Sequence, residues 1–535
     1  MSQTISTTCP YCGVGCGVLA TVTKDAAVTV KGDKQHPANL GRLCSKGAAL
    51  GETVGLEDRL LHPQVAGELV SWEGAITTVA AGLQRVIHEH GPDAVAFYVS
   101  GQLLTEDYYV ANKLMKGFIG SANIDTNSRL CMSSSVAGHK RAFGADTVPC
   151  SYEDLERANL VVLVGSNAAW CHPVLYQRIT AAKKQNPQLR VVVIDPRRTA
   201  TCDIADTHLA LRAGSDAVLF NGLLHYLQQN EYVSPLFVSA HTQGVEAALA
   251  SAAQSAASVA EVAQACGLTE QAVSEFYALF AQTERVVTVF SQGINQTSSG
   301  TDKVNAIINC HLLTGRIGRP GMGPFSFTGQ PNAMGGREVG GLANQLAAHM
   351  EIDDPQHRDR VQRFWDSPVI ADKAGLKAVE LFEAVAQGRI KAVWVMATNP
   401  AVSLPDADRV REALAGCELV VVSDCMQRTD TSELADVLLP ALTWGEKDGT
   451  VTNSERRISR QRSFLPPPGE AKPDWWIISA VARQMGFDEA FAYESPAQIF
   501  REHARLSAFE NDGERDFDIG AFCDLDEIGY TELAP

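Results

Sequence analysis

The sequence predicts an α/β protein of several domains, built on parallel sheets and carrying a small cysteine-rich module at its amino terminus. Three observations predict it: six short, predominantly apolar runs that each end in a polar or glycine-containing loop, helical periodicity between such runs, and four cysteines within the first 44 residues. Near-continuous apolar runs suit strands buried on both faces, as in parallel sheets covered by helices. A chain of 535 residues with 45% hydrophobic content is long enough for three or four cooperating units.

In chain order, residues 1 to about 58 are rich in Gly and Cys, with β-like runs at Val18 to Val22 and Val28 to Val30. They read as a small cofactor-bound module. From Trp72 the pattern changes: Ile76, Val79, Ala80, Leu83 and Ile87 fall at helical spacing, Gly91-Pro92 ends the helix, and Ala94 to Val99 reads as a buried strand. Similar strands are predicted at Leu160 to Val164, Val191 to Ile194, Val286 to Phe290, Val393 to Met396 and Leu419 to Val422. The loops after these six strands carry Gly101-Gln102, Gly165-Ser166-Asn167, Asp195-Pro196-Arg197-Arg198-Thr199, Gly293-Ile294-Asn295-Gln296, Thr398-Asn399-Pro400 and Ser423-Asp424. Ligands of open α/β sheets bind beyond the carboxyl ends of the strands, so six such loops predict one large ligand held at several points. The Ala-rich stretch Val245 to Cys266 predicts a surface helix pair without a chemical role, and Pro466-Pro467-Pro468-Gly469 a linker or rigid turn.

Charge narrows the function classes. With 45 basic and 62 acidic residues the formal charge is −17, which argues against a nucleic-acid-binding surface and requires a locally positive funnel for any small anionic substrate. No apolar run approaches the roughly 18 to 20 residues that span a bilayer, so no membrane role is expected. The start MSQTISTTCPYC has no basic n-region, apolar h-region or twin arginine, and the expectation is a cytoplasmic protein.

The strongest local signal is Cys9-x2-Cys12-x3-Cys16-x27-Cys44, set among glycines. Three thiolates within eight residues let the backbone wrap one iron-sulfur cubane, which a remote fourth cysteine completes. Structural zinc is the alternative, although it more often takes two short-spaced pairs. Lys46, two residues beyond Cys44, is either a solvated charge or a cationic bridge between the cluster and a second redox centre; spacing alone does not choose.

The run Gly41-Arg42-Leu43-Cys44-Ser45-Lys46-Gly47 and the run Asn127-Ser128-Arg129-Leu130-Cys131-Met132-Ser133-Ser134 together resemble the molybdenum oxidoreductases that bind two molybdopterin guanine dinucleotides, the nitrate reductases and formate dehydrogenases in particular. Leu313 to Arg316, Phe327 to Asn332, Gly336 to Gly340, Glu446 to Thr450, Asn453 and Glu455 to Arg457 agree in order. The resemblance implies the molybdopterin oxidoreductase fold, one 4Fe-4S cluster on Cys9, Cys12, Cys16 and Cys44, and molybdenum ligated by Cys131, with Met132 and Arg337 beside it as the further catalytic residues. It also implies pterin or nucleotide contacts. Lys46 would bridge cluster and pterin, Gln102 and Asn127 would lie near the metal, and Gly165, Ser166 and Asn167 would approach a phosphate. Asp195, Pro196, Arg197 and Arg198, with Gly214, Ser215 and Asp216, would surround one guanine nucleotide; Gln296, Gln330, Asn399, Ser423, Asp424, Lys447 and Asp474 would serve the rest. The implied division is a 4Fe-4S module at 1–58, one dinucleotide-binding α/β domain at 59–145 plus 336–480, a second at 146–335, and a helical or linker segment at 481–535.

Formate dehydrogenases of this family follow the metal-binding residue with a histidine, whereas Met132-Ser133-Ser134 here resembles nitrate reductases. Nitrate reduction to nitrite is therefore the expected activity, of the assimilatory kind. Formate oxidation is the alternative, and a non-catalytic electron-wiring subunit of a respiratory complex the alternative of another class. No flavin or nicotinamide fingerprint is evident, so electrons are expected from a ferredoxin, a flavodoxin or a flavin-containing reductase. Family members continue into a β-barrel cap over the nucleotides; a sequence ending at Pro535 is expected to be a fragment, or else to be covered by a second polypeptide.

Overall fold

A computed structural model describes residues 3–25 and 27–535. The amino-terminal module is a three-stranded antiparallel sheet of Gln3–Thr8, Gly17–Val22 and Val28–Gly32. Cys9, Cys12 and Cys16 occupy the turn between the first two strands. Cys44 caps the short helix Ser45–Ala48, its sulfur accepting the Gly47 N–H at 3.4 Å.

Two larger sheets carry the rest. One has five parallel strands in the order Thr207–Leu209, Arg190–Ile194, Leu160–Val164, Val286–Phe290, Gly323–Ser326. All five residues of Leu160–Val164 are fully buried; at about 1.5–3 kcal/mol for each large apolar side chain, such a strand anchors its layer. The second sheet orders seven strands as Glu68–Leu69, Gln64–Val65, Val437–Pro440, Leu419–Asp424, Ala392–Met396, Val95–Val99, Ile124–Thr126, parallel except for the first two. Helices cover both sheets, and Trp72–His90 buries Ala75, Val79, Ala80, Leu83 and Val86 along one stripe.

Both sheets reverse their winding direction once. In the five-stranded sheet the chain runs outward from Leu160–Val164 to one edge and then from Val286–Phe290 to the other, so the switch lies between those neighbours. In the seven-stranded sheet it lies between Val95–Val99 and Ala392–Met396. Each switch opens a crevice at the carboxyl ends of its two strands.

The stretch Val245 to Cys266 is the expected helix pair, Val245–Ser255 and Val259–Cys266, but it is not merely superficial: Ala252, Val262, Ala263 and Cys266 are buried in the core of the five-stranded half. The prolines at 466–468 lead into a turn in which Gly469, at φ 55°, packs against Leu61 and Glu470 N–H bonds the Leu61 carbonyl at 2.8 Å. The segment 481–535 forms Pro496–Ala508 and Glu527–Glu532 and is tied into the body: Tyr530 donates to buried Glu106 at 2.6 Å, and Tyr109 and Lys113 both bond Glu502.

Candidate active site

The cluster cysteines come together. Cys9, Cys12, Cys16 and Cys44 line one small pocket with Tyr11, Lys46 and Cys171. Burial raises the thiols of Cys9, Cys12 and Cys16, and their mutual repulsion adds to it, while Lys46 lowers Cys9 and Cys12. Four soft sulfurs around a common space suit a cluster that takes them as thiolates and spreads their charge. Among the described residues no group of three or more His, Cys, Asp or Glu converges tightly enough to hold a single ion. Lys46 is exposed, its ammonium 5.2 Å from the Tyr11 ring centre.

The strand Ile124–Thr126 delivers Asn127 and Ser128 into the helix Arg129–Phe143, whose first turn carries Cys131. That helix is kinked at Met132, which departs to φ −146°, ψ 25° and is buried, its sulfur accepting the Thr328 hydroxyl. The kink leaves Cys131 half-buried at the helix start. Its Sγ accepts the Gln292 amide at 3.2 Å and packs on Gly329, where an added Cβ would stand 3.0 Å from the sulfur. Burial raises the Cys131 thiol, while Gln292, the Gly329 backbone and the charge of Arg337 all pull it back towards thiolate.

Cys131 sits between the two crevices. On the side of the seven-stranded sheet, the Gln330 amide donates to Asn127 Oδ1 at 2.8 Å and lies 3.4 Å from Gln102, Ser128 donates to Gln330, and Asn127 reaches Thr398 at 3.2 Å. This brings together Gln102, Asn127 and Gln330. On the side of the five-stranded sheet, Gly165 at φ 53° crosses Gly293 backbone to backbone, a Cβ on either meeting the other at 2.8 or 2.6 Å, and Ser166 bonds Ser291 at 2.9 Å. Gln292, the residue that touches Cys131, follows Ser291. Gln296, one helical turn on, donates to the Leu130 carbonyl at 2.8 Å.

The other expected contacts are distributed less simply. Asn167 accepts from Thr201 at 3.0 Å; Asp195 holds the Arg197 N–H at 2.8 Å; Pro196, Arg197 and Arg198 are exposed at the same strand end. Gly214 is exposed, and Ser215 bonds the Arg212 carbonyl at 2.6 Å. Asp216 is already paired with buried Lys303 at 2.7 Å. Asn399 accepts from Thr431 at 2.7 Å, and Ser423, inside its strand, accepts from Trp394 at 2.8 Å. Asp424 accepts the Met426 N–H at 2.9 Å. Lys447 and Asp474 are a buried ion pair at 2.5 Å with Asp107 at 3.7 Å, so Lys447 meets carboxylates from two directions. Burial opposes its charge, and Asp474 and Asp107 restore it.

Arg337 is buried beside Cys131. Its acidic partner is Asp146, at 2.8 Å, with the Met334 sulfur as a second acceptor. Burial would raise Asp146, and Arg337, His139 and His349 outweigh it and hold the carboxylate well below the usual range. Asp146, Met334, Glu338 and His349 line a cavity of about 500 Å³ that opens among Glu514, Asp516 and Arg456. Arg337 therefore stands between that cavity and Cys131. Asp146, Gln292, Gly329 and His349 were missed as site residues. For two of them a local signal existed: Gln292 lies four residues before Gln296, and Gly329 immediately precedes Gln330 within the matching run Phe327 to Asn332.

The module of cluster cysteines docks directly on this site. Gly13 N–H bonds the Gly329 carbonyl at 3.0 Å, Ser454 N–H bonds the Gly13 carbonyl at 2.8 Å, and Tyr152 donates to the Gly13 and Val14 carbonyls. One peptide segment, Thr328-Gly329, thus touches both the cluster loop and Cys131.

Residues 59–484 match the family described as molybdopterin oxidoreductase, and residues 2–55 match the molybdopterin oxidoreductase Fe4S4 domain. The chain is 60% identical to a nitrate reductase of Klebsiella oxytoca over 535 residues, covering 99% of this chain and 60% of that protein. It is 32% identical to an F420-dependent formate dehydrogenase subunit alpha of Methanocaldococcus jannaschii, covering 94% of this chain and 73% of that one. The fold is shared with acetylene hydratase from Pelobacter acetylenicus, at a TM-score of 0.78 and 20% identity over 99% of this chain and 73% of the other. The chain spans about three fifths of the length of the nitrate reductases it matches at 60% and 50% identity.

Proposed function

The chain belongs to the molybdopterin oxidoreductase family, and on that premise we propose that it forms the catalytic part of a molybdenum-dependent nitrate reductase fed through one 4Fe-4S cluster. The observation that carries the substrate is the residue after Cys131: a buried methionine whose sulfur takes a hydroxyl hydrogen bond stands where a formate enzyme needs a proton-handling base. The similarity to nitrate reductases at 60% identity supports the same reading.

When bound, a molybdenum-pterin group supplies two-electron oxygen-atom transfer, chemistry that side chains lack. The chain's own residues hold and orient it. Cys9, Cys12, Cys16 and Cys44 would ligate the cluster, and Cys131 the molybdenum as a soft thiolate. Gln102, Asn127 and Gln330 would face one dinucleotide, and Gly165, Ser166 and Gly293 would let the other approach the backbone closely. Arg337, fixed by Asp146, would supply the positive charge that holds a small oxyanion beside Cys131. Asp195 to Arg198, Gly214 to Asp216, Asn399, Ser423, Asp424, Lys447 and Asp474 remain part of the proposed nucleotide surroundings, several of them acting through the ion pairs described above. The division into a cluster module at 1–58 and two dinucleotide-binding halves belongs to the same proposal.

No helix among the described residues is long and apolar enough to cross a membrane. The assimilatory setting, the cytoplasmic location and a ferredoxin, flavodoxin or flavin-containing reductase as donor are the finer parts of this reading, open to cell fractionation and donor assays. The substrate test is direct. Protein produced in a cofactor-competent host is assayed for iron, molybdenum and guanine nucleotide, then offered nitrate with a reducing dye and formate with an oxidising one. Nitrate turnover supports the proposal; formate oxidation without nitrate reduction favours the formate reading, and iron without molybdenum or pterin favours an electron-wiring subunit.

A further inference from the structure

Between Cys131 and the cavity lies a group of ionisable side chains that binding and orientation alone do not use. Arg337 Nη1, His139 Nε2 and His349 Nδ1 are sealed from solvent without a hydrogen-bond partner, around the Arg337 Nε–Asp146 Oδ2 ion pair. Most buried polar atoms are satisfied, so three orphans in one place mark a site where water or protons pass.

The backbone that presents His349 is strained. Ala348 and His349 both sit at φ 55°, a pair of non-glycine residues in the left-handed region, which persists only where the surroundings hold it. The surrounding loop is over-determined. Fully buried Lys116 donates to the carbonyls of Gly340, Leu342 and Gln345 at 2.5, 3.0 and 2.7 Å, and Ala348 N–H bonds the Glu338 carbonyl at 2.7 Å. This arrangement puts His349 and Glu338 on one cavity wall. Asp146, Arg337, Lys140, Asp516 and His503 bear on the His349 charge, Glu351 and His357 line the same cavity, and the Phe517 ring lies edge-on at 5.4 Å.

We propose that this cavity is the proton entrance of the active site, with Glu338 and His349 as its relay residues leading to the pocket of Arg337 and Asp146. The proposal rests on the nitrate reading. Reduction to nitrite breaks one N–O bond and releases that oxygen as water, which takes two protons from solvent and two electrons from a one-electron carrier through the cluster. Burial lifts Glu338 to about 7, so it exchanges protons near neutrality, and burial lowers His349, which stays a neutral acceptor. Asp146, held charged by Arg337, orients the pocket and does not itself carry the proton.

The test is chemical rescue in the loaded protein. His349→Ala lowers maximal nitrate turnover about 10²-fold or more with KM unchanged, as loss of a proton-transfer group does. Added imidazole restores turnover in that variant and not in wild type, and calorimetry finds imidazole bound to the variant alone. Glu338→Gln removes the limb of the pH–rate profile near neutrality. His349→Gln, which keeps the ring's approximate volume but cannot titrate, guards against a folding defect in the alanine variant and shows the same loss. Turnover in His349→Gln equal to wild type overturns the relay, as does an alanine variant that binds imidazole without recovering. Wild-type protein inert to nitrate overturns the nitrate reading and the relay with it, whereas active wild type with unaffected variants overturns the relay alone.

Discussion

The thiol of Cys131 is shaped by two half-buried neighbours. Gln292 donates to its sulfur and Gly329 leaves room for it, so Gln292→Leu should lower molybdenum content or turnover about 10–100-fold, the usual effect of losing a partner that orients a metal ligand. Metal analysis beside a turnover assay checks this. Gly329→Ala places a methyl 3.0 Å from Sγ and 3.2 Å from the Gln292 amide, an overpacking expected to cost about 1–3 kcal/mol and to weaken metal retention. Asp146→Asn leaves Arg337 buried without its counter-charge; breaking such a pair from one side costs about 3–5 kcal/mol, visible as a lower denaturation midpoint. At this scale the sequence was only partly legible. Cysteine spacing predicted four thiols that the fold does bring to one pocket, and the run Asn127 to Ser134 singled out Cys131. Asp146 and His349 lie in loops with no local pattern, and only the folded chain brings them to Arg337.

At the scale of elements, the six apolar runs were legible because strands buried on both faces leave few polar positions to confuse the period. Ile124–Thr126, Thr207–Leu209 and Gly323–Ser326 were not, since three or four residues carry no periodicity and these strands exist through pairing with longer neighbours. Val437–Pro440 was hidden likewise, and its proline ends the pairing at Asp424. The two winding switches follow from strand order, which no local pattern reveals. Their close contacts make a prediction: Gly293→Ala drives a methyl to 2.6 Å from Gly165 Cα and should open the crevice of the five-stranded sheet. Guanine nucleotide content should fall while iron content stays, and equal content of both would contradict that place for a dinucleotide. Among the polar residues expected to face a dinucleotide, Lys447, Asp474 and Asp216 are committed to ion pairs, a use that residue type alone does not betray.

For the whole molecule, acid stability follows from opposed sets of buried groups. Burial lowers His36 and His172 to about 4 and His311 and His503 to about 3. Below pH about 6.5 the unfolded chain takes up these protons and the folded chain does not, so stability falls as pH drops. Burial lifts Glu106 and Glu338 to about 7, so between pH about 7 and 4.5 the folded chain holds protons that the unfolded chain has released, which works in the opposite sense. The melting temperature should therefore decline gently from pH 6.5 to 4.5 and steeply below, where the glutamate effect has ended and Asp146, held below the usual carboxylate range, adds to the histidine effect. A uniform slope across that range would show that these groups do not govern it. The cluster module is part of the same body, since the Thr328-Gly329 segment binds Gly13 on one side and packs against Cys131 on the other. The most direct test is X-ray absorption at the molybdenum edge of loaded wild-type and Cys131→Ala protein, with the cluster followed by its own spectrum. The account predicts one sulfur fewer around molybdenum in the variant, an unchanged cluster signal and no turnover; identical molybdenum coordination in the two proteins would contradict it.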